Sequence, residues 1–279
     1  MSRFSLTVSA AAALLALAGC GGGGEGSPPE GRARPSTAGS AGALSHDVVV
    51  QLRQGAVAAD LAARHGLTLI DQFGRRPIHR LRAAPGTDVE QLLTALRAEP
   101  EVRFAEPNTE GQAPEVRRGV SVWAIGSDVG GYLAQWAPQA MRLAEAHEVS
   151  IGAGVRVAVL DTGAELNHPA LVGQWVRDSS GNVVGRDFVD DDADPSETGS
   201  RPDPGFGHGT HVSGLVALAA PAARIMPVRV LNPAGGGNAW VVAEALAWAL
   251  DPDGDPATDD GAHVVNLSFG STQPTALLR

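Results

Sequence analysis

Val155-Arg-Val-Ala-Val-Leu160 runs directly into Asp161-Thr162-Gly163, and farther along comes Gly207-His208-Gly209-Thr210-His211-Val212-Ser213-Gly214. The first stretch is a near-continuous apolar run of strand length, the pattern of a parallel strand covered on both faces. It delivers the Asp161 carboxylate to the strand's C-terminal end, the edge where open α/β sheets build their sites. The second stretch opens an apolar helical run, Leu215 to Ala220, which places His208 at or near a helix start. The aligned peptide dipoles there disfavour a cation and keep neutral imidazole available as a base. Arg224–Leu231 reads as a strand, Asn238–Leu250 as a helix and His263–Phe269 as a strand. Strands alternating with helices predict an α/β fold with a doubly wound, mostly parallel sheet.

A second module precedes this one. His46–Arg53 reads as a strand, and residues 56–65 as a helix with Val57 and Leu61 on one face and Gly66 as its stop. Leu67–Ile70 and Ile78–Leu81 are two further strands. Thr87-Asp-Val-Glu90 is a capping box opening a helix with Val89, Leu92, Leu93 and Leu96 inward. Pro100 ends it, and Val102–Asn108 is the closing strand. The order β-α-β-β-α-β predicts a small α+β, ferredoxin-like domain, a fold that hosts many functions.

Ahead of that module, Arg3 is followed by an apolar run from Leu6 to Ala18. The run is too short for a membrane-spanning helix and fits the core of a signal peptide. It ends in Leu17-Ala18-Gly19-Cys20, which resembles the bacterial lipoprotein box; that resemblance implies lipidation at Cys20 and a membrane anchor. A conventional secretory signal with an incidental Cys20 is the alternative, and export follows from both. Residues 21–45 form a Gly/Ser/Pro/Ala tether.

Charge divides the chain in the same way. Of 279 residues, 21 are basic, all arginine, and 31 are acidic, for a net charge of -10. Residues 46–108 carry 8 Arg against 8 acids, whereas residues 135–279 carry 8 against 18. A protein so acidic lacks the basic face that a nucleic-acid partner requires. One cysteine, Cys20, excludes an intrachain disulfide framework.

Taken together, Gln135-Trp136, Gly154–Gly163, His168-Pro169, Gly207–Gly214, Pro227–Leu231, Gly235–Gly237 and Val264–Gly270 resemble the subtilisin-like serine proteases across nearly all of residues 135–279. Val102–Asn108 resembles the end of the inhibitory propeptides of the same family. The resemblance implies a domain order of signal peptide 1–20, tether 21–45, propeptide 46–108, junction with processing region 109–134 and peptidase segment 135–279. It implies an endopeptidase acting on protein or peptide substrates, with its own propeptide as intramolecular inhibitor. Asp161 would orient and support His208, the general base that activates a serine hydroxyl. Gly235, Gly236 and Gly237, with Ser268, Phe269 and Gly270, match the two stretches that pair with an extended substrate; an ordinary loop is the alternative for the glycines. No Gly-Thr-Ser-Met-Ala-like stretch occurs up to Arg279, and Ser213, Ser268 and Ser271 match non-nucleophilic positions. The chain therefore carries Asp and His but not Ser, and is expected to be inactive taken alone.

Two acidic clusters stand apart. Asp190-Asp-Asp192 with Asp194 reads as solvated charge. Asp251, Asp253, Asp255, Asp259 and Asp260 also read as solvated charge by default, although the Asp253-Gly-Asp255 spacing is compatible with calcium at Asp251, Asp253 and Asp255; no EF-hand pattern is completed. Two rival functions stay open: a metallohydrolase ligated by Asp161, His208 and His211, and an inactive lipoprotein whose 46–108 domain inhibits or chaperones another protease.

Overall fold

The computed structural model describes residues 46–117 and 129–279. The expected signal peptide, Cys20 and the tether lie outside the described residues. The first module holds β1 (Asp47–Leu52), α1 (Ala58–His65), β2 (Thr68–Gln72), β3 (Ile78–Arg82), α2 (Val89–Ala98) and β4 (Val102–Pro107). Its strands form an antiparallel sheet in the order β2-β3-β1-β4. Because side chains alternate along a strand, Val48, Val50 and Leu52 face the helices and pack with Leu61, Leu93 and Leu96. All four apolar residues expected inward on α2 are buried.

Two local details differ from expectation. The cap of α2 is Asp88, which accepts from the backbone N–H of Gln91, while the Thr87 hydroxyl donates to Ala84 in the preceding turn. Asp88 wins because its carboxylate reaches an orphan N–H and also favours the positive helix terminus. Val57, expected to face inward, is the residue preceding α1 and is exposed.

The described parts of the junction, residues 109–117 and 129–134, carry secondary structure. They contribute β5 (Glu110–Gln112) and the short helices α3 (Pro114–Arg117) and α4 (Val129–Leu133). After α5 (Trp136–Ala140) and α6 (Leu143–Val149), the second module begins with β6 (Arg156–Asp161) and β7 (Arg186–Asp187). It continues through α7 (His208–Ala219), β8 (Arg224–Arg229), β9 (Gly236–Asn238), α8 (Ala239–Leu250) and β10 (Val264–Leu267). A parallel sheet runs in the order β10-β6-β8-β7. Ala158 and Leu160 on β6 join the core on the α8 side, with Val242 and Ala245. Val157 and Val159 join the core on the α7 side, with Val212 and Ala217. The sheet is thus wound on both faces. Burying each of these larger aliphatic side chains stabilises the fold by about 1.5–3 kcal/mol.

The two modules meet along α8. The outer face of the first sheet packs Val49, Phe73 and Ile78 against Trp240 and Ala243, with the Phe73 and Trp240 rings edge to face at 5.9 Å. The last strand then reaches across. Glu106 accepts from the Thr275 hydroxyl at 2.6 Å and from the N–H groups of Ala276 and Leu277 at 2.7 and 3.0 Å. Asn108 accepts from the N–H of Trp240 at 3.0 Å and donates to Asn238, the cap of α8, at 3.1 Å. Asn108 and Asn238 thus satisfy donors that the start of α8 leaves unpaired, and Glu106 satisfies those of a turn at residues 276–277.

Glu244 sits at this interface, and its carboxyl is pushed up to about 7 by burial and then by the nearby Asp71 charge, against the opposing influence of Arg80. The folded protein keeps a proton that the unfolded chain releases near the ordinary carboxyl value, so stability declines as pH rises through about 7. Thermal melting at pH 6 and pH 8 is expected to show the lower midpoint at pH 8, with a smaller difference in Glu244→Gln. An equal pH dependence in both proteins would contradict this assignment.

Candidate active site

β6 ends on Asp161, which is fully buried, and α7 begins on His208, which is nearly so. The Nδ1 of His208 lies 2.6 Å from Oδ1 of Asp161. The same oxygen accepts from the N–H of Thr162 at 2.7 Å, which fixes the carboxylate's orientation. The first turn of α7 is pressed onto the strand end. A Cβ at Gly209 would overlap the carbonyl oxygen of Gly163, so only glycine fits there. Gly207, just before the helix, has φ 88°, a conformation that side-chain-bearing residues rarely adopt. Beside the pair, β8 contributes the buried Arg229, whose guanidinium bonds to both Asp187 and Asp190. Asp190, expected to be plain solvated charge, is therefore a partner of a buried cation.

A strand-lined cleft adjoins this edge. Residues Glu110, Gly111 and Gln112 pair antiparallel with Asn238, Gly237 and Gly236. Gln112 also exchanges backbone hydrogen bonds with Gly270, at 3.0 and 3.2 Å, and the N–H of Ala113 donates to the carbonyl of Gly235 at 3.0 Å. The 110–113 segment is thereby held between two walls. Gly235, Gly236, Gly237 and Gly270 come together as the sequence suggests. Of the other two residues expected there, Phe269 packs partly into the core, and the Ser268 hydroxyl accepts from Asn266 at 2.9 Å. A cavity of about 310 Å³ opens beside the ribbon, lined in part by Gln112, Asn232 and Gly236.

The serines singled out in the sequence are placed elsewhere. Ser213 is buried within α7, and the Ser271 hydroxyl accepts from Gln273. Among the described residues, one group of acidic or histidine side chains could share a metal ion, Asp251 with Asp253 and Asp260, whose ligand atoms lie within 4.8 Å of one another. Asp255 is not in the group. Its carboxylate accepts from the N–H of Ala257 in a tight turn, and Asp260 takes the place expected for it. His211 does not join Asp161 and His208 in such a group.

Comparison with known proteins follows the same division of the chain. Residues 152–277 match the subtilase family, and residues 32–108 match the fervidolysin N-terminal prodomain. Residues 152–277 are a subtilase-family segment. Thermitase of Thermoactinomyces vulgaris is 36% identical over 148 residues, covering 50% of this chain and 45% of thermitase. A thermophilic serine proteinase of Bacillus sp. strain AK1 is 33% identical over 203 residues, covering 68% of this chain and 43% of that protein. The chain thus spans less than half the length of these relatives. Fervidolysin from Fervidobacterium pennivorans superposes with a TM-score of 0.56 at 20% identity, covering 84% of this chain and 37% of that one. These matches show a subtilisin-like fold preceded by a prodomain.

Sequence reasoning missed Glu197. Its part-buried carboxylate accepts from the Thr162 hydroxyl, the N–H of Gly207 and the Thr210 hydroxyl. Burial raises its carboxyl above the usual range, these donors pull it back, and the Asp161 charge raises it again. A lone glutamate in a loop carries no periodic or motif signal, so nothing in the sequence marked it.

Proposed function

We propose that this chain supplies the acid and the base of a serine endopeptidase, together with the propeptide that blocks its substrate cleft. The observation that supports it best is the 2.6 Å contact between Asp161 and His208, made at the carboxyl end of a parallel strand beside a two-walled cleft. In this role Asp161 accepts the Nδ1 proton and holds the ring in one tautomer. Nε2 takes the proton of a serine hydroxyl as it attacks the peptide carbonyl, and the buried carboxylate stabilises the imidazolium that forms. That serine is not assigned to any described residue. The substrate is an extended peptide added as a strand between Gly235–Gly237 and Ser268–Gly270. Residues 110–113, at the start of the processing region that follows the propeptide, occupy those edges and exclude substrate by the same backbone pairing. Packing of the first sheet against Trp240 of the same chain favours inhibition in cis over a separate inhibitor of another protease.

The domain plan that goes with this is signal peptide 1–20, tether 21–45, propeptide 46–108, processing region 109–134 and peptidase segment 135–279. Export follows from the N-terminal sequence, with a lipid on Cys20 as the anchor; a relative at 40% identity over 129 residues is the minor extracellular protease Vpr of Bacillus subtilis. No described helix is long and apolar enough to cross a membrane. In the full-length protein, Asp161→Asn is expected to lower kcat on a peptide substrate by about 10⁴-fold and His208→Ala by about 10⁶-fold. Near-normal turnover in either variant would overturn the assignment.

Asp251, Asp253 and Asp260 offer hard carboxylate oxygens, and Oδ1 of Asp251 is buried with no hydrogen-bond partner. That donor set fits calcium, which would bridge the end of α8 to the loop before β10. Calcium is expected to raise the thermal midpoint of the wild type but not of Asp253→Asn. An equal rise in both would remove the site.

A further inference from the structure

Glu197 lies in the loop before α7, away from every motif quoted from the sequence, yet it touches both elements that deliver the acid and the base. Oε1 accepts from the Thr162 hydroxyl at 2.5 Å and from the N–H of Gly207 at 2.6 Å. Oε2 accepts from the Thr210 hydroxyl at 2.7 Å. Thr162 directly follows Asp161, and Gly207 directly precedes His208. The web closes on itself: the Thr162 oxygen accepts from the N–H of Gly209 at 2.9 Å, and the Thr210 oxygen accepts from the N–H of Glu165 at 2.8 Å. Two donors at the start of α7, Gly207 and Gly209, are thus satisfied by Glu197 and by the threonine that Glu197 holds. An unpaired backbone donor in such a place would cost about 1–3 kcal/mol.

We propose that Glu197 is the positioning residue of the acid–base pair. By accepting at once from Thr162, Gly207 and Thr210, it fixes the end of β6 against the start of α7 at the separation where Asp161 meets His208. This rests on the endopeptidase assignment above, and it adds a residue that acts through others and does not touch substrate. A carboxylate suits the positive end of the helix, but the negative charge of Asp161 lies close by, so the second charge is a burden and the reach of the side chain is the gain. Glutamine keeps that reach, loses the charge and faces Thr210 with an NH2, which donates to the Thr210 oxygen in place of accepting from it. Aspartate keeps the charge and is one methylene too short to span both elements.

The test is NMR of the whole chain, following the Nδ1 proton of His208. Hydrogen-bonded to a buried carboxylate, this proton resonates far downfield and exchanges slowly with water; its loss in Asp161→Asn assigns it. Glu197→Gln is expected to keep the signal, with exchange at most about 2-fold faster. Glu197→Asp is expected to lose it or to exchange at least about 10-fold faster, as local opening becomes easier. Circular dichroism of each variant establishes that it is folded. Wild-type behaviour in Glu197→Asp, or greater damage from glutamine than from aspartate, would overturn the positioning role. A wild-type protein with no such signal would overturn the acid–base pairing itself, and the role of Glu197 with it.

Discussion

The close approach of one helix start to one strand end underlies the rest of the structure. α7 reaches β6 because position 209 carries no side chain; any Cβ there would collide with the carbonyl of Gly163. Everything chemical at this edge follows from that contact. It brings an imidazole to a carboxylate that is fully buried, and it leaves the helix's first donors facing the loop that carries Glu197. A buried carboxylate and its histidine partner are costly to withdraw from water unless their geometry and remaining hydrogen bonds are good. Here the backbone of Thr162 and the threonine–glutamate web supply those bonds.

The first module is shaped to the second at three kinds of contact. An apolar face covers Trp240, Glu106 and Asn108 accept from backbone donors of a turn and of the start of α8, and the following residues add a strand between two walls. Each uses a feature that the peptidase segment would otherwise leave exposed. Glu244, held near neutrality between modules by burial and by Asp71, makes the fit sensitive to pH.

Much of this was legible in the sequence because it rests on local patterns. The apolar run into Asp161 marked a parallel strand and its reactive end, and the glycine-flanked His208 marked a helix start. The inward residues of α2, Val89, Leu92, Leu93 and Leu96, followed from helical periodicity. What escaped depends on contacts between distant residues. The capping box put Thr87 at the start of α2, but the incoming turn engages the Thr87 hydroxyl and leaves Asp88 as the cap. The spacing of Asp251, Asp253 and Asp255 suggested a cluster, but the chain folds back so that Asp260 is the third member. The strand at 110–112 exists because Gly236–Asn238 and Gly270 are there to pair with it, and its own composition says little. Glu197 gathers three donors from two elements, none of them predictable from its neighbours in sequence.

Asp161 and His208 form a hydrogen-bonded pair over the carboxyl edge of the parallel sheet. A crystal structure of the chain tests this pairing most directly. Nδ1 of His208 within about 3.2 Å of the Asp161 carboxylate is the result this account requires. A His208 ring turned to solvent, with its Nδ1 bonded elsewhere and the carboxylate left to the backbone of Thr162 alone, would contradict it.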